Sequence, residues 1–541
     1  MNELPTIECQ PVSVAPGPSR LFADFCSGAL EGFLPPRAEA LARPPMPAHW
    51  PELVRLLAAQ NSSSSAASSL KILAQGGGAV LTGQQVGLFG GPLYTPLKAA
   101  TAIARARAAT AEGRPHAAVF WLATEDHDFA EISRVVFPAG RELEALTYSA
   151  APARALPVGN LVLDGSIAPL AARAAELLGP SEATEALVAA YRPGRTLAQA
   201  FADFYASIFA AQGLLIVNAD SREFHRLGAS VLGAAIEQAD EFHAALVERN
   251  QQLKAAGYHA QVAVEPQSSL LFLIDEATGA RLALHRSAPT AAEAQGLWFT
   301  TSPEGKPGRV RYSTAELMGI LASAPERISP AALLRPVFQD FLFSTSMIVG
   351  GPAEIAYYAQ SAVLYERILG RQTPPEPRFS ATLVEPSMAD LLGRYALTLE
   401  EIFAAGNAAA LAQKLAARAL PAEAKKKLDA ADGALDAELD ALTGWMREQD
   451  KGLGESATTA AKKMRYQMGR LRRLAANFQL QREATLGRHA GALVNALYPG
   501  GALQERTHGA AYYFARYGLD LAEIFCQQAA SVRNGHAAIW M

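Results

Sequence analysis

Cysteine is scarce in this chain of 541 residues, which has only Cys9, Cys26 and Cys526 and no CxxC spacing. Neither a disulfide framework nor a zinc ribbon can be built from them, and the pattern fits a reducing compartment. Long apolar runs are missing too: nowhere do about 18 uncharged apolar residues follow one another, so no membrane-spanning helix is expected. The stretch from Met1 to Pro18 carries Glu3, several prolines and no apolar run of signal-peptide length, so the expectation is a soluble, cytoplasmic protein. An excess of one charge is absent as well. Lys+Arg 48 against Asp+Glu 52 leaves a formal net charge of -4, and no whole-chain field recruits nucleic acid or an acidic membrane. Gly 42 and Pro 33 are too few for collagen or disorder. What remains is a globular chain, 50% apolar, long enough for about three or four structural units.

The pattern along the chain separates three regions. Residues 1–73 read as an N-terminal helical segment, with Leu53, Leu56 and Leu57 on one face and a Ser/Ala-rich stretch, Asn61 to Ser69, that is compatible with helix or linker. From about 74 to 380, short apolar runs alternate with helical patterns. Ala79 to Leu81, Ala117 to Leu122, Leu214 to Asn218 and Met347 to Val349 each end in polar or glycine-rich residues. That alternation predicts an α/β fold with a doubly wound parallel sheet, whose ligands bind beyond the strands' C-terminal ends. The less regular stretches at about 140–200 and 225–325 read as insertions, the second containing the strand-like Leu270 to Asp275.

Residues 381–541 are rich in Ala, Leu, Lys, Glu and Arg. Leu428, Leu435 and Leu442 recur at heptad spacing with Leu439 between, and Met464, Met468, Leu471, Ala475 and Phe478 trace a second seam. Two long helices joined near Lys451 to Gly454 would form an antiparallel coiled coil. Lys462, Lys463, Arg465, Arg470, Arg472 and Arg473 read as a solvated face.

Three segments carry chemistry. Between a strand and a helix stands Thr82-Gly83-Gln84-Gln85, followed by Gly90-Gly91 and Tyr94. Glycines there let backbone approach a phosphate or carboxylate, although neither a Walker spacing nor a strict GxGxxG is present. Next comes Glu125-Asp126-His127-Asp128 after a buried strand. It offers acid–base groups, amine holders or Mg²⁺-type ligands, with helix capping by Asp126 or Asp128 as the alternative. The third joins Arg335 and Gln339 with Glu354 and Tyr357. Arg335 can grip a carboxylate or phosphate and Glu354 an amine, unless the two simply pair with each other. Gln504 and Arg506 mark a polar cluster that either folds back on the sheet domain or borders a second nucleotide cleft.

Taken in order, TGQQVGLFGGPLYTPLKA at 82–99, FWLATEDHDFAEI at 120–132, SPAALLRPVFQD at 329–340, GGPAEIAYYAQ at 350–360 and QER at 504–506 resemble the BshC family, the cysteine ligases of bacillithiol biosynthesis. The resemblance spans the chain from about residue 50 onward. It departs from the usual pattern at Val86, where many members have Pro, and at Phe341 to Thr345, where a Leu-Pro is common.

The resemblance implies a Rossmann-like core with two connecting-peptide insertions, and a C-terminal coiled coil through which the subunits form a homodimer. It also implies that cysteine is joined through its carboxyl group to the amine of glucosaminyl-malate, the last step of bacillithiol formation. Making a carboxylate oxygen a leaving group ordinarily needs ATP, leaving ADP or AMP, and often Mg²⁺, through an adenylate or acyl phosphate. On this expectation Gly83, Gln84, Gln85, Gly90 and Gly91, with Thr82 and Tyr94, hold a phosphate or substrate carboxylate. His127 serves as base, Asp126 and Asp128 hold the amine or a cation, and Arg335, Gln339, Glu354 and Tyr357 complete the pocket. No resident metal site is assigned. The rival on the same fold is a non-catalytic dimeric protein that binds a nucleotide or sugar metabolite; a metal-dependent hydrolase is a third reading.

Overall fold

The computed structural model describes residues 8–12, 17, 19–37, 41–152, 155–287, 297–301 and 309–541. Its centre is laid down by the apolar runs. The strand Gly78–Gln85 (β1) is buried over its first five residues, and His116–Ala123 (β2) is buried throughout. Continuous burial requires cover on both faces, the condition met by a parallel sheet inside an α/β layer structure. With Leu215–Asn218 (β3), Met347–Gly350 (β4) and Pro375–Pro377 (β5), these strands form an all-parallel sheet in the order β5-β4-β1-β2-β3. The Rossmann-like core is therefore present, as the alternating pattern predicts.

Side chains leave the sheet alternately. Val80, Phe120, Leu122 and Val349 join one apolar core, into which the helix Tyr94–Ala111 (α1) packs. Leu81, Val119, Trp121 and Ile348 join the other, with the helices Arg335–Phe343 (α2) and Pro352–Leu369 (α3). The chain lays β1, β2 and β3 side by side in one direction, then returns to place β4 and β5 on the other side of β1. Strand order thus reverses between β1 and β4, and a crevice opens at such a reversal, beyond the carboxyl ends of the strands.

The stretches read as insertions are built from other elements. The first holds the helices Ile167–Leu178, Glu182–Ala190 and Leu197–Ile208, after an antiparallel hairpin of Arg134–Ala139 with Glu142–Thr147. The second holds helices and an antiparallel sheet in which Ser268–Ile274 lies between Arg281–Arg286 and Ile328–Pro330. The serine-rich stretch is the helix Ser64–Ala74, started by the Ser63 hydroxyl, which accepts from Ala66 N at 3.1 Å. The N-terminal part also contributes a strand, Glu8–Val12, that pairs antiparallel with His536–Trp540, itself parallel to Ala381–Val384.

The C-terminal region has the expected pair of long helices, Ala422–Gln449 (α4) and Lys451–Arg482 (α5). The turn between them is Asp450, whose carboxylate caps α5 by accepting from Leu453 N at 2.8 Å. The seam within the chain keeps Leu439 and Met468 of the expected one, both buried, and departs from it elsewhere. Gly454, Ala461 and Met468, spaced by seven, are buried against α4, whereas Met464, Leu471 and Phe478 point to solvent. Small residues at the first two positions let the helices approach closely: a Cβ on Gly454 would stand 2.8 Å from Arg447 Cα. The basic residues are not uniformly solvated either, since Arg465 pairs with Asp436 and Asp440, and Arg472 with Asp429 and Asp432 across the two helices. Among the described residues no helix is long and apolar enough to cross a membrane.

Candidate functional site at the strand-order reversal

The crevice is a cleft of about 300 Å³ lined by the end of β1, the start of α3 and the first turns of α1 and α2. Its wall includes Gly83, Gln84, Gln85, Tyr94, Arg335, Gln339, Glu354, Tyr357 and Arg506, residues that come from segments far apart in the chain. Gly83, Gln84 and Gln85 end β1, and Tyr94, Arg335 and Glu354 start helices, so the sheet topology brings these together, while Arg506 reaches the cleft from the C-terminal region.

Glu354 is fixed first. Its carboxylate accepts from Gly351 N at 2.7 Å, closing the first turn of α3, and lies 2.7 Å from Lys98 Nζ. Lys98 is fully enclosed, and besides Glu354 it donates to the Gly83 carbonyl and to Gln84 Oε1. Burial pulls the Lys98 ammonium below its ordinary range, with Glu354 opposing that shift. Arg335 and Glu354 therefore do not pair with each other. Tyr94 Oη accepts from Gln84 Nε2 at 3.3 Å, and burial pushes its hydroxyl up. Above its ring, at 5.3 Å, lies the guanidinium of Arg378, which also forms a buried pair with Glu505.

At one side of the cleft Asp126 is a hub. Gln85 Nε2 and His127 N each donate to it at 2.9 Å, and Arg335 Nη2 and Arg281 Nη1 each lie 4.0 Å from its oxygens. Burial pushes the Asp126 carboxyl up, but Arg335, Gln85 and Arg281 together outweigh it and hold the group below the usual carboxylate range. His127 and Arg335 thus face one carboxylate. The His127 ring lies beside Phe272, and its Nδ1 is 3.2 Å from Arg281 Nη1. Because guanidinium only donates, Nδ1 must be the acceptor, which places the proton of the neutral ring on Nε2. Burial first, then Arg281, lowers the pKa of His127, which keeps the ring neutral near pH 7.

Other expected residues are placed elsewhere. Thr82 is buried and donates to the Val349 carbonyl at 3.0 Å, linking β1 to β4. The glycine-rich turn points away from the cleft: Gly90 N donates to Tyr191 Oη at 2.9 Å, and Tyr205 Oη donates to the Gly90 carbonyl at 2.7 Å. Tyrosines of the first insertion thus take the groups expected to meet an anion, and Gly91 N is bonded to the Leu88 carbonyl. Gly90 has φ +84, and a Cβ there would sit 2.5 Å from Phe204 Cε1, so the glycine serves packing. Asp128 caps the short helix Phe129–Ile132, the alternative reading of that residue. Gln504 is buried and bonds both backbone groups of Leu383, tying the C-terminal tail to the strand Ala381–Val384. Arg506 lines both the main cleft and a second one of about 330 Å³ bordered by Ser380, Arg533 and His536.

Sequence reasoning missed Lys98, Arg378, Glu131 and Arg281. Lys98 carried a readable signal, a single lysine in an otherwise uncharged first half of α1. Of Glu125 to Asp128, only Glu125 joins a convergent group of metal-type ligands among the described residues, with Asp220 and His225.

Comparison with known proteins bears on this geometry. The profile of the BshC N-terminal Rossmann-like domain of bacillithiol biosynthesis matches residues 39–375, and that of the BshC C-terminal coiled-coil domain matches 381–541. The chain belongs to the BshC family. A relative from Koribacter versatilis, named "Putative cysteine ligase BshC", is 40% identical over 530 residues, covering 95% of this chain and 96% of the relative. One of the same name from Solibacter usitatus is 34% identical over 525 residues, covering 95% of each chain. Similarity to BshC proteins thus runs through both the sheet core and the paired helices.

Proposed function

We propose that this BshC-family chain is a ligase that joins cysteine, through its carboxyl group, to the amine of glucosaminyl-malate, forming the amide of bacillithiol with ATP-dependent carboxyl activation. The observation that carries the reading is the make-up of the cleft, where the cations Lys98, Arg335 and Arg506 stand beside the carboxylates of Asp126, Glu131 and Glu354. Such a pocket suits one partner with a carboxylate and another with an amine.

In this reading Arg335 and Arg506 hold carboxylate or phosphate oxygens, while Gln84 and Gln339 orient them. Asp126, kept ionised by its neighbours, holds the incoming ammonium, whose proton passes to water so that its nitrogen can attack. Neutral His127 offers its Nε2–H as a donor, its other nitrogen being engaged by Arg281. Asp128 acts through the backbone turn it caps. The cationic wall fits a nucleoside triphosphate, whose phosphates, when bound, supply the leaving group; Arg335 and Arg506 are the residues to hold it, while Lys98, its donors spent on Glu354, Gly83 and Gln84, adds charge from behind. No set of three carboxylate or imidazole ligands converges in the cleft among the described residues, so a Mg²⁺ ion there would arrive with the nucleotide.

The second element is assembly. Leu442, Trp445, Met464, Leu471, Leu474 and Phe478 are large apolar side chains exposed on α4 and α5, which a second copy of the coiled coil would cover in a homodimer.

The test is product formation from cysteine, glucosaminyl-malate and ATP, followed by mass spectrometry of the thiol product. Asp126→Asn should lower turnover on the order of 100-fold through loss of amine positioning, and Asp128→Asn only a few-fold. Absence of product and of ATP consumption that needs both substrates would leave a binding protein; full activity of Asp126→Asn would remove the proposed amine holder.

A further inference from the structure

The turn after β2 and the turn after β3 meet outside the cleft. Glu125, two residues beyond β2, lies 2.8 Å from Nε2 of His225, and Asp220 stands two residues beyond β3. One ligand-type atom from each of the three lies within 4.8 Å of the other two. An acidic pair beside a histidine is common, so the state of the imidazole decides what this one is.

His225 is completely buried on the helix Arg222–Leu227. Its Nδ1 is 2.9 Å from the Ile328 carbonyl, which can only accept, so Nδ1 carries a proton. In the neutral ring Nε2 is then the lone-pair nitrogen, aimed into the cluster; burial lowers the pKa of the imidazole but Glu125 and Asp220 outweigh it, so an incoming ion displaces a proton. Despite the short distance to Glu125, Nε2 is not aligned for a hydrogen bond with any partner. A histidine whose Nδ1–H is anchored on a backbone carbonyl and whose Nε2 faces carboxylates has the arrangement of a metal ligand with its orienting partner. Asp220 is held from the far side, where Asn160 Nδ2 donates to Oδ2 at 2.7 Å, and Oδ1 is left for a ligand. Asp220 is also the half-exposed member, which gives an ion a way in.

The cations nearest the cluster, Arg281 and Arg335, act on Glu125 through their charge but donate no hydrogen bond to Glu125 or Asp220. Arg281 bonds Ser329 Oγ at 3.1 Å and the Pro330 carbonyl at 3.4 Å and stacks on Phe272, while Arg335 turns toward Asp126. We propose that Glu125, Asp220 and His225 bind one divalent transition-metal ion, of the Zn²⁺ or Mn²⁺ class, that ties the turns after β2 and β3 to the helix bearing His225. One imidazole and two carboxylates suit those ions, with bonds of about 2.0–2.2 Å. Ligand atoms around such an ion stand roughly 3–4 Å apart, so closure needs shifts of about an ångström.

The full-length protein, stripped with chelator and dialysed, is titrated with Co²⁺, which reports its ligands by visible absorption, and with Zn²⁺ in competition. The expected result is one Co²⁺ per chain, displaced by Zn²⁺, with affinity weakened on the order of 100-fold or more in His225→Ala and Asp220→Asn and unchanged in Asp128→Asn. Far-UV circular dichroism checks that each variant is folded; should His225→Ala unfold, Asp220→Asn on the half-exposed side carries the test alone. Substoichiometric Co²⁺ in the wild-type protein, or binding that both folded variants retain, overturns the proposal and leaves Glu125 and His225 as a buried ion pair.

Discussion

Lys98 is the most enclosed charge in the cleft, and replacing it by Met tests whether the cleft is held together electrostatically. Its side chain is 3% exposed and that of Glu354, 2.7 Å away, 22% exposed. Removing one member of a buried ion pair costs about 3–5 kcal/mol, because the survivor is left uncompensated. Glu354 keeps part of its hydration and its bond from Gly351 N, so a loss just below that range, about 2–3 kcal/mol, applies to Lys98→Met. Glu354→Gln strands the ammonium instead, which retains only the Gly83 carbonyl and Gln84 Oε1, and a similar loss follows. The double variant Lys98→Met/Glu354→Gln removes both charges and should lose at least ~1.5 kcal/mol less than the sum of the singles. A chain with several units does not unfold in one step, so the assay is hydrogen exchange read on peptides spanning 94–111 and 352–369, which reports local opening. Additivity within ~0.5 kcal/mol would refute the reasoning and make the contact one of packing alone.

Three further outcomes are expected. Gly90→Ala, with φ +84 and Phe204 2.5 Å from the new Cβ, should destabilise by about 2–4 kcal/mol, whereas Gly113→Ala, with φ +80 and open space, should cost about 1 kcal/mol; hydrogen exchange on the peptides around each glycine compares them. Glu505 accepts from Arg378 at 2.5 Å, Ser380 at 2.8 Å and Ala381 N at 3.0 Å; burial raises its pKa, but these partners outweigh burial and lower it. Its contribution is therefore present above the unfolded carboxylate pKa of about 4.3 and lost as pH falls through the lower folded value, so Glu505→Gln should flatten the acid limb of a stability–pH curve. Leu471→Glu combined with Phe478→Lys should halve the mass in sedimentation without loss of helicity, since neither side chain lies in the buried seam within the chain; unchanged mass would place any dimer contact elsewhere.

Much of this arrangement was legible because parallel sheets write themselves plainly. The run Ala117 to Leu122 is apolar without alternation, and the polar residues after each strand fall where the topology opens a crevice. Gln84, Gln85, Arg335 and Glu354 were visible for that reason. Gly90 and Gly91 misled because a glycine turn looks the same whether its N–H groups meet a ligand or the hydroxyl of Tyr191, about a hundred residues away. The seam of α5 misled similarly: Met464, Leu471 and Phe478 repeat as regularly as Gly454, Ala461 and Met468, and spacing does not say which face meets α4. The Glu125–His225 contact was hidden because it joins the loop after β2 to the helix Arg222–Leu227, about a hundred residues on.

The small sheet in which His536–Trp540 lies between Glu8–Val12 and Ala381–Val384 has a consequence for how the molecule is made. The middle strand is the last of the three to leave the ribosome, so the other two must wait unpaired until residue 540 has emerged. Closing a loop between residues 8 and 540 is slow on topological grounds, and a nascent chain stalled before that point would carry two open strand edges for chaperones to shield.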